Sequence, residues 1–186
     1  MAISCGISGG IDLSCETLKN AAGGLKQKVW IGNWGDLASP GWTEVGDGYV
    51  ESLEFLSGYA GLYEFTGVKN QNSTNSDAQA LESGNATFPQ SVVLTLHTTT
   101  PAQLNVIEEL AFANVFVIVE TSKGRLEVFG LNLGLSLESA VKTSGNLVSD
   151  ATSRVVTLSG DQPEIEKIFL RTDYATSVAY LNSLVA

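Results

Sequence analysis

The residues best equipped for chemistry in this 186-residue chain are few and scattered. His97 is the only histidine. A serine, histidine and aspartate relay is formally open to it, but no nucleophile elbow accompanies any serine. With polar neighbours on a predicted strand, His97 reads as a structural or surface residue, and no Cys, Asp or Glu cluster stands beside it to complete a metal site. Cys5 and Cys15 match no common zinc or redox spacing. They read as free thiols of a reducing compartment, with a local disulfide as the alternative. Glu108 and Glu109 are neighbours on a predicted helix, about 100° apart around its axis, and read as solvated. Glu51, Glu54 and Glu64 fall on predicted strands with no apolar pocket to raise a carboxyl pKa, so nothing singles out a glycosidase-type pair. GISGG (6–10) and GLNLG (130–134) lack the strand, loop and helix context and the Lys-Ser/Thr ending of a phosphate loop. Trp30, Trp34 and Trp42 lie close enough in sequence to suggest a sugar-stacking platform, although packing in a core or between subunits is the commoner fate of such rings. The expectation is a protein without catalytic residues, cofactor or metal.

Charge narrows the partners. The chain carries 20 acids against 10 bases, a net charge of −10, and only 16% of its residues are charged, against about 25% in average soluble chains. A protein that grips phosphates would be basic. Between Lys28 and Lys69 there is no base, while Asp36, Glu44, Asp47, Glu51, Glu54 and Glu64 supply acids; between Lys69 and Lys123 the same holds, with Asp77, Glu82, Glu108, Glu109 and Glu120. This is either a solvated acidic face or a wall that keeps DNA off by like-charge repulsion. The N-terminus lacks the basic and apolar regions of a signal peptide, and no apolar run approaches the ~20 residues that span a bilayer. A cytoplasmic origin and no membrane partner are expected.

The elements that must position any site centre on Asn114–Lys142. Val115, Val117 and Val119 face one way and Phe116, Ile118 and Glu120 the other, Ser122-Lys123-Gly124 turns the chain, and Arg125–Phe129 returns. Beyond Gly130 the pattern predicts one long strand, with Leu131, Leu133, Leu135 and Leu137 on one face and Asn132, Gly134, Ser136 and Glu138 on the other. Before it comes an amphipathic helix ending near Ala113, capped by Thr100 or a neighbouring Thr, with Pro101 at its first position, Leu104, Ile107, Glu108 and Ala111 on the helical period and Leu110 beside them. Strands are predicted over Leu25–Trp34, Tyr49–Ser57, Gly58–Val68, Phe88–Thr99, Arg154–Gly160 and, as strand or arm, Glu164–Arg171, with Tyr49–Ser57 and Gly58–Val68 suggested as a pair. Residues 35–48 read as loop, Lys69–Ala86 as a long polar insertion, 1–24 as an N-terminal arm with a short strand around Gly10–Leu13, and 172–186 as a C-terminal helix or arm. No internal repeat or second boundary breaks this single domain of α+β class, dominated by an antiparallel sandwich or partial barrel with one packed helix.

The run VFVIVE, GRLEVFG and GLNLGLSL, followed by a Gly- and Ser-containing link and then RVVTLSGDQPE, resembles the major tail tube proteins of tailed bacteriophages and related contractile systems, over roughly residues 88–165. The resemblance implies stacked hexameric rings, an inner β-barrel completed by neighbouring subunits, and a negative lumen through which DNA passes without specific binding, in the virion tail assembled in a host cytoplasm with other tail proteins. It makes Asn70, Asn72, Asn75, Asp77 and Glu82 inter-ring loop candidates, Asn132, Ser136 and Glu138 lumen candidates, and turns the Leu131–Leu137 face to the helix. Two other readings stand beside it: a tail terminator or capsid decoration protein, and a carbohydrate-binding or hydrolytic β-domain using the three tryptophans and nearby acids.

Overall fold

The computed structural model describes residues 24–46, 48–59, 61–81, 86–98, 100–143 and 152–186. The expected N-terminal arm (1–23 of it) with its short strand, Cys5, Cys15, the glycine run at 6–10, Asp47 and Glu82 lie outside the described residues. The strands are β1 (Leu25–Asn33), β2 (Leu37–Val45), β3 (Tyr49–Phe55), β4 (Leu62–Thr66), β5 (Ser73–Ser76), β6 (Gln79–Ala80), β7 (Ala86–Leu96), β8 (Asn114–Thr121), β9 (Leu126–Phe129), β10 (Leu135–Thr143), β11 (Ser153–Gln162) and β12 (Lys167–Phe169). Two helices accompany them, α1 (Pro101–Leu110) and α2 (Tyr174–Ser183). The class is α+β; the sheet is open and mixed, with β12 parallel to β3 and the other strand pairs antiparallel.

The sheet forks at β8. One edge of β8 pairs with β1 along most of its length. Its other edge is shared: Val117–Glu120 pair with β9, whereas Asn114 and Val115 pair with β10. From β9 the sheet continues to β12, β3 and β2; from β10 it continues to β11, β7 and β5. The trunk of β1, β8 and β9 therefore has two covered faces. Val29, Ile31, Val115, Val117 and Val119 enter one core with Val92, Leu94, Val156, Leu158 and the α1 residues Ile107 and Leu110. Trp30, Phe116, Ile118 and Val128 enter a second core with Val50, Leu53, Phe169 and the α2 residue Leu181. Period-two alternation in β8 is correct, but both of its faces are apolar because both are buried. Gly32 beside it is required: a Cβ there would meet the Phe116 ring at 2.4 Å.

Helix α1 forms as its sequence dictates. Thr100 accepts from the Gln103 backbone N–H while the Gln103 side chain accepts from the Thr100 N–H, and Pro101 opens the first turn. The helix stops at Leu110, a little short of Ala113, and buries only Ile107 and Leu110; Leu104 stays exposed. Asp173 caps α2 through the Thr176 N–H, and α2 occupies the segment expected to be a C-terminal helix or arm.

Several expectations are corrected. Residues 37–45 form β2 in place of a loop, paired to β3 across register shifts. As a strand with β3 as its one partner, β2 tolerates Pro40 where a central strand would not, and Trp42 anchors it on the second core. β3 and β4 do not pair with each other: β3 lies between β2 and β12, and β4 lies on β1. The polar insertion is not all loop: within its described residues 69–81 it lays β5 and β6 along β7. The long leucine strand is interrupted. Gly130 and Gly134 take positive φ of 74° and 79°, the Gly134 N–H donates to the Gly130 carbonyl, and β10 begins only at Leu135. Leu131 joins the second core, Leu133 is 57% exposed, and Leu135 joins the first core under α1 with Leu137 packed beside it. β9 is paired on both sides, and among the described residues β10 beyond Ser136 pairs only with β11.

Candidate assembly surface

The fork is held by side-chain amides. Gln90 and Gln162 are 3% and 2% exposed. Gln90 Oε1 accepts from the Gly130 N–H (2.9 Å) and its Nε2 donates to the Glu164 carbonyl (3.1 Å). Gln162 Oε1 accepts from the Leu133 N–H (3.0 Å) and its Nε2 donates to the Gly134 carbonyl (2.8 Å). Asn114 adds a bond to the Leu133 carbonyl (2.9 Å), packed so close that no Cβ fits at Gly134. These groups satisfy the backbone of 130–134 where the two branches part, so the turn is a fixed feature of the core.

That turn decides where the lumen candidates go. Asn132 sits half-buried on it and hydrogen-bonds Glu164. Ser136 is exposed on β10 opposite Ser159. Glu138 is the extra residue of a bulge between Leu137 and Ser139. The three do not share one strand face, because the turn and the bulge each reset the alternation. Beside Asn132, Lys167 pairs with Glu164 at 2.8 Å and with Glu44 at 3.3 Å. The Lys167 hydrogen bond holds the Glu164 carboxyl below its ordinary range, and the same bond raises the Lys167 ammonium.

The loop candidates divide as well. Asn70 is exposed with φ 60°. Asn72 is 7% exposed and structural: its Oδ1 accepts from the Thr95 N–H at 3.1 Å, tying the insertion to β7. Asn75 is exposed on β5 and donates to Asp77, which is also exposed.

The branch of β10, β11, β7 and β5 presents a surface the sequence reading passed over. Its inward side chains feed the first core. Its outward side chains, by direct pairing, form rows: Ser136, Ser159, Ser91 and Asn75; then Ser139, Thr157, Val93 and Ser73; then Val141 and Val155, with the next position, Thr95, buried and its hydroxyl donating to the Gln71 carbonyl. No row contains a charged side chain. Glu138 at the bulge, Asp161 at the far end and the exposed Asp77, which accepts from Asn75, mark its rim. Val93, Val141 and Val155 belong to neither core, and no other described strand or helix pairs with or is packed into this face. The signal is present in SVVLTL and SRVVTLS, where Ser, Thr and Val alternate with the core residues Val92, Leu94, Val156 and Leu158.

The remaining candidates do not converge on chemistry. A cleft of about 660 Å³ between α1 and β4 is lined by apolar groups such as Tyr63, Phe65 and Leu110. Of its polar groups, Glu64 pairs with Lys28 and the His97 ring meets the Thr152 carbonyl. Trp30 is fully buried, Trp34 donates to the Leu131 carbonyl and Trp42 packs on the second core, so the three rings form no common platform. Glu120 leaves the expected acidic face: it is 5% exposed, paired with Lys26 and accepting from Tyr174. Glu108 and Glu109 are exposed on α1. Among the described residues no group of three His, Cys, Asp or Glu could hold a metal ion, and no described helix is long and apolar enough to cross a membrane.

Comparison with protein-family models, curated proteins and solved structures finds no match. The functional reading therefore rests on the chain's own geometry.

Proposed function

We propose that this chain is a structural subunit of a bacteriophage tail tube, non-enzymatic, assembling into stacked hexameric rings around an acidic lumen through which DNA passes without specific binding. One observation carries the reading: the sheet is unfinished within a single copy. Among the described residues, β2, β5 and distal β10 each have one partner strand, and unpaired strand edges are a liability that a soluble monomer has to mask. Neighbouring copies would pair these edges and close the open sheet into the expected barrel. The net charge of −10 supports a conduit that DNA does not adhere to. In this reading the partners are further copies and other tail proteins, and the place of action is the virion. Negative-stain electron microscopy of the purified chain at high concentration tests it: rings or tubes of constant diameter are expected, and a strict monomer at every concentration would remove the reading.

A further inference from the structure

We propose that the uncharged outward face of β10, β11, β7 and β5 is where one copy of this chain seats on another, so that Ser136 is a contact residue and not a lumen residue. The inference rests on the self-assembling reading above and assigns its surface. Two copies of a chain with net charge −10 repel unless they meet where like charges are absent. Charge depletion is also what distinguishes the centre of a protein interface from the rest of a surface. This face meets both conditions across consecutive rows of paired residues on four strands.

Its size fits the centre of an interface. At ~4.8 Å between strands and ~3.4 Å per residue, with every second side chain outward, these rows present roughly 330 Å², under half of the ~800 Å² each partner gives to a stable interface. Its chemistry fits also. Val93 and Val155 stand near the middle beside Thr157, and serines surround them. A second copy can bury these groups by apolar contact and hydroxyl hydrogen bonds without desolvating an ion. Facing a lumen, the same rows would give DNA no repulsive wall; the exposed acids Glu108 and Glu109 lie elsewhere, on α1.

The test places a charge of either sign in the middle of the face: Thr157→Asp, Thr157→Lys and Ser91→Asp in the full chain, with folding checked by circular dichroism and association followed by sedimentation velocity over a concentration series. Wild type is expected to associate, and each folded variant is expected to associate on the order of 100-fold or more weakly, since an unpaired charge would be buried. Thr157→Lys lowers the net negative charge, so its failure to associate cannot come from general repulsion. If wild type and all three variants associate alike, or only the Asp variants weaken, the inference falls while the self-assembling reading stands. If wild type never associates, both fall.

Discussion

The trunk of β1, β8 and β9 and the branch of β10, β11, β7 and β5 use the same strand chemistry to opposite ends. In the trunk, Val115 through Glu120 are all buried, because cores lie on both faces of β8. In the branch, β7 and β11 bury one face and leave Ser91, Val93, Val155, Thr157 and Ser159 half-exposed on the other. The trunk has nothing left to offer a partner. The branch has an uncharged surface whose positions are fixed by a core it does not take part in. Burial and exposure are therefore separated by strand face, within strands as well as between them.

This comparison can be broken by substitution. Phe116→Ala empties a fully buried trunk site and is expected to cost about 3–5 kcal/mol, whereas Val93→Ala on the outward face is expected to cost under about 1 kcal/mol. Urea unfolding of monomeric protein measures both, and equal costs would erase the distinction. Next in size is the joint between the two regions. Gln162→Leu strands the Leu133 N–H and the Gly134 carbonyl and is expected to cost about 2–4 kcal/mol, at roughly 1–2 kcal/mol for each unpaired buried group, the lower part of the usual range. Hydrogen exchange should then rise first at 130–135, before β8 itself loosens.

The smallest effect concerns the ion cluster beside the fork. Glu164 is held below its ordinary value of 4.5, chiefly by the Lys167 hydrogen bond. Its contribution is therefore present above about that pH and is lost as pH falls through the folded value. Lys167 is raised above 10.5 by the same bond, so its contribution is present below that pH and is lost as pH rises through the folded value. Glu164 is half-exposed, which limits the effect to under about 1 kcal/mol. Lys167→Met should flatten the acid limb of the stability curve by that amount, read by denaturant midpoints between pH 3 and 6; an unchanged limb would show the cluster to be inert.

What the sequence made legible follows from how local each signal is. The cap and first turn of α1, the alternation of β8, the turn at Ser122-Lys123-Gly124 and the core side of β7 are set by neighbours in sequence, and all were readable. β2 was not, because Pro40 and Gly41 break it locally and only pairing with β3 and burial of Trp42 restore it. The turn at 130–134 was hidden by leucines spaced two apart; what breaks the strand is Gln90 and Gln162, distant residues that satisfy its backbone. The pairing of β3 and β4 was misjudged because sequence adjacency does not fix sheet order once a fork exists. Of the proposed surface, Ser136 was named from sequence with another role, and the rest required the register of four strands to be known.

The central claim is that the covered trunk stabilises the fold and the uncharged branch face joins copies. A cryo-electron microscopy map of the assembled chain at side-chain resolution tests it most directly. The account predicts Val93, Val155 and Thr157 packed against a neighbouring copy, with β8 buried inside its own subunit. A map with those three side chains facing open solvent or the lumen, and the copies joined through another surface, would contradict it.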